Sequence, residues 1–322
     1  MGQIKTVDAA RNKWRGILLE LGLPGDVLKN RHGPCPLCGG KDRFRWDNKD
    51  GRGTYICNQC GSGDGMDLAI KVTGLGFKET AAKIDRFVGN IAVDLPPKAM
   101  SDDTQRGLLS KIYRQTKEVQ PGDLVHKYLA TRHLEELIYP PSIRFAPDME
   151  DGEGGRHPAM VAMVGVPGET TTTGGPKYRS MHRTYLRPDG AGKAEIAQPR
   201  RFSPGPLPDG VCVQLCEYVP GGPLGIAEGI ETALAASAYF EIPVWAALNS
   251  RLLEKWRPPA GCTEVAVFGD NDIKLGGQKS AYALGNKLAL QGIDVTVQIP
   301  DVTGTDWADV WSQWCQKKIE LK

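Results

Sequence analysis

Four cysteines in the first fifth of the chain constrain its fold more than any other feature of the sequence. They form two Cys-x2-Cys pairs, Cys35 with Cys38 and Cys57 with Cys60, and eighteen residues separate the pairs. Two thiolates at this spacing can hold one metal ion from a tight turn, and two such turns complete a tetrahedron. The segment is also poor in apolar residues. We therefore predict a zinc ribbon whose structural Zn²⁺ stabilises a segment that cannot build its own core.

The strand expected between the two cysteine pairs alternates cations with aromatic rings. Alternation places Arg43 and Arg45 on one face and Phe44 and Trp46 on the other. Cations and aromatic rings in one small ribbon suit a single-stranded nucleic acid, so we expect Arg43, Arg45 and Trp46 to contact it. In the alternative interpretation, Phe44 and Trp46 only pack the ribbon.

The overall charge of the chain is nearly balanced. A net charge of +2 over 322 residues does not by itself indicate a nucleic-acid-binding protein, so such a surface must come from local clustering. No apolar run has the character of a signal peptide or the length of a membrane span. Cysteines paired as metal ligands favour a reducing compartment. We expect a cytoplasmic protein with no membrane partner.

Positive charge clusters between residues 177 and 201. This segment has seven Lys and Arg residues against two Asp and Glu. Contacts to template phosphates or nucleoside triphosphates need such charge, whereas the alternative is a solvated hairpin face. His182 is expected either to touch a phosphate or to cap a turn. The predicted binding residues of the segment are Arg179, His182, Arg183, Arg187, Lys193, Arg200 and Arg201.

From about residue 223, apolar strand-like runs alternate with helical ones, which predicts a mostly parallel sheet flanked by helices. Acidic residues follow several of these strands. Because parallel strands end at one edge of the sheet, these acids should meet there. Clustered carboxylates need cations, and hard oxygen ligands favour Mg²⁺ or Mn²⁺. The acidic clusters are Glu228 with Glu231, Asp270 with Asp272, and Asp301 with Asp306 and Asp309.

These residues carry a family resemblance. Ala227-Glu228-Gly229 followed by Asp270-Asn271-Asp272 resembles the Toprim signature. The cysteine segment, with Gly-Ser-Gly-Asp-Gly-Met-Asp-Leu after Cys60, resembles the zinc domain of DnaG-type primases. The segment from His182 to Lys193 resembles the region before Toprim in phage and plasmid primases. The order, zinc ribbon then Toprim, is the most specific element.

The resemblance implies an α/β multidomain protein. Its expected parts are a zinc-ribbon domain over residues 1–95, a helical linker region over 96–140, the first half of a catalytic core over 141–215, and a Toprim domain over 216–322. The middle part should be mixed α and β.

The resemblance also implies a DNA primase, which makes short RNA primers on single-stranded DNA by two-metal nucleotidyl transfer during DNA replication. Glu228 would be a metal ligand or general base, and Asp270, Asp272 and Asp306 would hold Mg²⁺ or Mn²⁺. Whether Asp309 or Asp301 also contributes is left open, with Asp309 preferred. The implied partners are the DNA template, ribonucleoside triphosphates and, as a further candidate, a replicative helicase.

Two other classes of protein share parts of this pattern. A Toprim-type nuclease of the OLD kind has the acidic site but normally carries an ATPase unit, for which the sequence has no motif. A non-enzymatic replication or recombination module like RecR combines zinc with Toprim but would leave the basic middle segment without a role.

Overall fold

The computed structural model describes residues 6–91, 101–135 and 139–320. The chain divides into two compact units, Met1–Ala99 and Met100–Lys322. Each unit has a hydrophobic core of its own. Among the described residues, no helix has the length and apolar character that a membrane crossing requires.

The first unit combines a four-stranded antiparallel ribbon, in the order β1-β2-β3-β4, with short helices. Trp14, Ile17 and Leu18 on one face of α2 are buried in its core. Gly39 and Gly61 directly follow a zinc-ligand cysteine and have φ of +70° and +82°, the left-handed turns that such knuckles require. The elements are α1 (Thr6–Ala9), α2 (Trp14–Glu20), β1 (Gly33–Cys35), β2 (Gly39–Trp46), β3 (Tyr55–Cys57), β4 (Gly61–Gly63), α3 (Gly65–Thr73) and α4 (Phe77–Asp85).

The second unit begins with two helices and a five-stranded antiparallel sheet, in the order β5-β6-β7-β8-β9. In the described part of the helical linker region expected over 96–140, two helices are separated by a turn at Pro121 and Gly122. Residues 136–138 lie outside the described residues. The elements are α5 (Asp102–Tyr113), β5 (Lys117–Glu118), α6 (Leu124–Ala130), β6 (Ile143–Glu150), β7 (Arg156–Thr170), β8 (Pro176–Tyr185) and β9 (Arg200–Phe202).

The two faces of this antiparallel sheet have different neighbours. Met160 and Ala162 of β7 belong to the main core that continues into the C-terminal part of the unit. Val161 and Met163, which point the other way, form a smaller core with Leu109 of α5. The sheet therefore lies between α5 and the C-terminal part.

The C-terminal part is a four-stranded sheet in the order β11-β10-β12-β13, with every pair of neighbours parallel. The middle strand β10 is fully buried and β12 is mostly buried, as expected for strands covered on both faces. This confirms the predicted fold. The short helix α8 was not predicted. The elements are β10 (Leu224–Ala227), α7 (Ile230–Phe240), β11 (Val244–Ala246), α8 (Ser250–Lys255), β12 (Glu264–Phe268), α9 (Gly276–Ala289), β13 (Asp294–Gln298) and α10 (Trp307–Glu320).

Candidate active site and zinc site

The four ribbon cysteines converge on one point. Their Sγ atoms lie within 4.8 Å of one another, with 3.9 Å between Cys35 and Cys60 and 3.7 Å between Cys38 and Cys57. A tetrahedral Zn²⁺ about 2.3 Å from each sulfur would separate the sulfurs by roughly 3.8 Å. Burial alone would raise the pKa of Cys57, but nearby backbone N–H groups lower it to about 7. The geometry fits the structural Zn²⁺ of a four-cysteine ribbon.

A group of carboxylates forms the second site, at the edge where the parallel strands end. Glu228 follows β10, and Asp270 and Asp272 follow β12. Asp306 and Asp309 lie at the start of α10, after β13. We call Glu228, Asp270, Asp272, Asp306 and Asp309 the carboxylate site.

Asn271 ties together the two loops that carry the acids after β12 and β13. Its backbone N–H donates to the Thr305 carbonyl at 3.0 Å, and its side chain donates to the Pro300 carbonyl at 2.7 Å. Gln278 at the start of α9 donates to the Asn271 side-chain oxygen at 2.7 Å. Asn271 therefore fixes Asp270 and Asp272 beside Asp306, a role that its place in the sequence did not reveal.

The last acidic cluster is organised around the start of α10. The backbone N–H of Asp309 donates to Asp306 Oδ1 at 2.9 Å, and the backbone N–H of Asp306 donates to Asp309 Oδ2 at 3.1 Å. Asp306 is half-buried, whereas Asp301 is exposed. Repulsion from Asp306 and from Asp309 contributes to raising the pKa of Asp270. Asp306 and Asp309 are thus better placed than Asp301.

Asp270 lies at the centre of this negative charge. Burial, followed by repulsion from Asp306, Glu228, Asp272 and Asp309, raises its pKa to about 7. Its Oδ1 atom is buried and has no hydrogen-bond partner among the described residues. A bound cation would satisfy that oxygen and neutralise the repulsion, so the residues fit a divalent metal.

The spacing of the carboxylates favours a hydrated ion. Within the described parts of the chain, only the ribbon cysteines form a compact group of three or more side chains that could hold a metal ion. The acids are therefore more widely spaced than a closed metal cage. Mg²⁺ is suited to such a site because it keeps several of its water ligands and takes one or two carboxylates.

A buried network beside the site went unrecognised in the sequence. Glu231, which the sequence grouped with Glu228 among the acids at the sheet edge, is buried and accepts a hydrogen bond from the Tyr128 hydroxyl. Lys193 Nζ lies 3.4 Å from Glu231 Oε1. Burial alone would raise the pKa of Glu231, but Lys193 and Tyr128 lower it to about 2. The positive charge of Lys193 is therefore paired with the Glu231 carboxylate within the protein.

A cavity of about 480 Å³ opens next to Glu228. Arg200 and Asn249 line it together with His182. Arg200 is exposed and forms no ion pair within the described residues, and its charge acts on both Glu228 and Glu231. Burial lowers the pKa of His182 to about 4, so its ring is neutral at pH 7. His182 thus lines the cavity but brings no positive charge to a phosphate.

The predicted basic surface is divided by strand alternation. His182 of β8 and Arg200 of the neighbouring strand β9 face the carboxylate side. Arg183 packs its guanidinium 5.8 Å from the Tyr185 ring centre on the opposite face. The other arginines pair locally: Arg179 with Glu169, Arg187 with Asp189 and Glu195, and Arg201 with Glu153. Of the seven predicted residues, Arg200 is the cation best placed to bind a ligand in the cavity next to Glu228.

The ribbon strand shows the predicted alternation. Phe44 and Trp46 are only 1% and 6% exposed and lie in the core of the first unit. Phe44 stacks on Tyr55 with 5.6 Å between ring centres. Trp46 therefore fits the packing alternative and not a base-stacking role. Arg43 is exposed and Arg45 is half-exposed, so both stay candidates for nucleic-acid contact.

Comparison with protein families agrees with this geometry. Residues 223–316 match the Toprim domain, and residues 103–213 match a domain of unknown function. The parallel sheet and its carboxylate edge are therefore those of a Toprim domain, which uses Mg²⁺ in catalysis. Residues 30–66 match the zinc-binding domain of primase-helicase. The two domains in one chain confirm the resemblance to DnaG-type DNA primases, whereas the phage or plasmid branch stays a prediction.

Solved primase structures resemble the chain only distantly. The zinc-binding and RNA polymerase domains of Aquifex aeolicus primase are 12% identical, with 99% of this chain and 84% of that chain covered and a TM-score of 0.40. The primase fragment of the bacteriophage T7 primase-helicase is 13% identical, with coverage of 90% and 97% and a TM-score of 0.37. The assignment depends on the family matches.

Proposed function

We propose that this protein is a DNA primase that joins ribonucleotides into short RNA primers on single-stranded DNA. The observation that carries the proposal is the presence in one chain of a primase-type zinc ribbon and a Toprim carboxylate site. A zinc ribbon of this type can bind a template strand, and the carboxylate site provides the acids that phosphoryl transfer requires.

In the proposed reaction, a ribonucleotide 3′-hydroxyl attacks the α-phosphate of an incoming ribonucleoside triphosphate. A phosphodiester bond forms, the bond to the β-phosphate oxygen breaks, and pyrophosphate leaves. Mg²⁺, when bound, neutralises the charge that develops on the phosphate oxygens. Asp270, Asp272 and Asp306 are the residues proposed to hold it, with Asp309 supporting Asp306.

The residues of the cavity have separate proposed roles. Burial, followed by repulsion from Asp272, raises the pKa of Glu228. A carboxylate shifted towards neutral pH is better able to accept the proton of the attacking hydroxyl. Arg200, beside Glu228 in the cavity, is proposed to bind the triphosphate. Glu231, paired with Lys193 and Tyr128, positions the helix that follows Glu228.

The proposed partners are the single-stranded template, ribonucleoside triphosphates and a replicative helicase. Arg43 and Arg45 of the ribbon are the proposed sites of interaction with the template. The division into four domains at residues 95, 140 and 215 also remains a proposal. A cytoplasmic location suits a protein whose zinc ligands must stay reduced.

Primer synthesis is tested by incubating the protein with labelled ribonucleotides, unprimed single-stranded DNA and Mg²⁺ or Mn²⁺. We expect short RNA products from the wild type and none from Asp270→Ala. Asp301→Ala is the matched control, because this exposed acid lies in the neighbouring loop but outside the carboxylate site. Absence of products from zinc-loaded wild type on varied templates would overturn the proposal. Cleavage of the template instead would favour the nuclease class.

A further inference from the structure

A groove lies along α5, on the face of the antiparallel sheet opposite to His182. Two adjoining cavities, of about 620 Å³ and 150 Å³, form it. They adjoin one another, because Arg106, Leu109, Lys177 and Tyr178 line both. We call this feature the α5 groove. It is separate from the carboxylate site, whose cavity opens on the other face of the same sheet.

The charge of the groove is positive. Arg106, Arg114 and Lys177 line the larger cavity, which no carboxylate lines. The smaller cavity is lined by one carboxylate, Asp102, and by Arg179 in addition to the shared cations. Arg114 and Lys177 form no ion pair within the described parts of the chain. Arg106 pairs with Asp103, which is on the same helix and highly exposed. At least two cations are therefore available to an anionic ligand.

Two tyrosines give the groove aromatic surface. Tyr113 is 45% exposed, and the guanidinium of Arg144 lies 4.5 Å from its ring centre. Tyr178 is half-buried and lies over the small core that contains Met163 and Met181. Aromatic rings next to cations without a carboxylate partner are the combination that binds single-stranded nucleic acid, because bases stack on the rings while cations meet the phosphates.

We propose that the α5 groove binds a single strand of nucleic acid, as a second path separate from the carboxylate site. Its shape favours a strand over a free nucleotide, since the two cavities follow a helix of twelve residues. Such a helix is about 18 Å long, which accommodates up to about five nucleotides at roughly 3.4 Å each. Binding here needs neither the metals nor the triphosphate of the proposed reaction.

Binding strength at several salt concentrations tests the charge of the groove. Fluorescence anisotropy of labelled oligodeoxythymidylate is measured with full-length protein, without nucleotides or added Mg²⁺. For Arg114→Ala with Lys177→Ala, we expect weaker binding and a shallower salt dependence, by about 0.7 in the log–log slope for each phosphate that is no longer neutralised. Lys111→Ala is the matched control: it removes an exposed cation of the same helix that does not line the groove. A slope equal to that of Lys111→Ala would overturn the proposal.

Photocrosslinking locates the strand independently. An oligonucleotide carrying 5-iodouracil should crosslink to Tyr113 or Tyr178, identified by peptide mass spectrometry. Crosslinks confined to other residues, or displacement of the strand by ATP at equal nucleotide concentration, would contradict a strand path. Asp270→Ala should crosslink like the wild type. This separates the groove from the proposed catalytic function, because loss of primer synthesis leaves the crosslink unchanged.

Discussion

At the scale of single residues, the environment of Asp270 is the strongest indication that the carboxylate site holds a metal ion. Its position after a buried strand made it predictable, because acids at the ends of parallel strands meet at one edge. Its unpartnered Oδ1 and raised pKa depend on neighbours from three separate loops. Asn271 holds the loops after β12 and β13 together through hydrogen bonds that could not be deduced from local sequence.

Asp270→Asn should therefore make the metal-free protein more stable and remove its response to Mg²⁺. The substitution relieves repulsion within the carboxylate site, a common compromise between stability and function. Thermal unfolding is followed at pH 8 with and without Mg²⁺, with Asp301→Asn as control. We expect Mg²⁺ to raise the Tm of the wild type and the control only. An equal rise in the Asp270→Asn variant would place the ion elsewhere.

Glu231 makes the stability of the second unit depend on pH in the acid range. Its pKa falls from 4.5 to about 2 on folding, so its contribution is fully present above pH 4.5 and is lost as the pH falls towards 2. That contribution is on the order of 3 kcal/mol. Urea unfolding at several pH values should show a smaller loss in Glu231→Gln than in the wild type. Parallel curves for the two proteins would show that Glu231 is not held ionised.

The basic residues illustrate what residue patterns leave undetermined. The sequence shows that positive charge clusters between 177 and 201, but the face of each side chain depends on strand register. The β7–β8 pairing is irregular between Val164 and Gly165, and such a shift changes which residues share a face. In the β8–β9 register, Arg200 lies opposite Thr184, so Arg200 and Arg183 lie on opposite faces of one sheet.

At the scale of elements, strands and helices with strong periodicity were predictable, and short or interrupted ones were not. The four parallel strands and the helices α7, α9 and α10 follow from runs of apolar residues. Helix α8 has only six residues, too few for a periodic signal. Within the helical linker region, Pro121 and Gly122 favour a turn, which separates α5 from α6.

The ribbon strands should depend on zinc, whereas the second unit should not. Cys57→Ser removes one of the four ligands through which a single metal ion joins the two knuckles. We expect zinc content to fall from one ion per chain and residues 33–63 to become sensitive to proteases, while residues 143–320 stay protected. Cys262→Ser, a buried cysteine of the second unit, should keep the zinc. Protection of residues 33–63 without zinc would contradict the structural role.

At the scale of the whole molecule, the two units differ in what they offer to a nucleic-acid substrate. Each unit has its own core. The first offers a zinc-dependent ribbon with exposed cations, and the second offers a carboxylate site with a cavity beside it. The order of these parts was readable from cysteine spacing and strand-end acids alone. The proposed primer synthesis requires that both units act on the same template strand.

The chemistry of the product tests that activity most directly. Wild-type protein is incubated with two ribonucleoside triphosphates, a matching single-stranded template and Mg²⁺, and the products are analysed by mass spectrometry beside a pyrophosphate assay. We predict oligoribonucleotides that keep a 5′ triphosphate, one pyrophosphate for each bond formed, and an intact template. Shortened template with no new phosphodiester bonds would contradict a primase, and would assign the carboxylate site to hydrolysis.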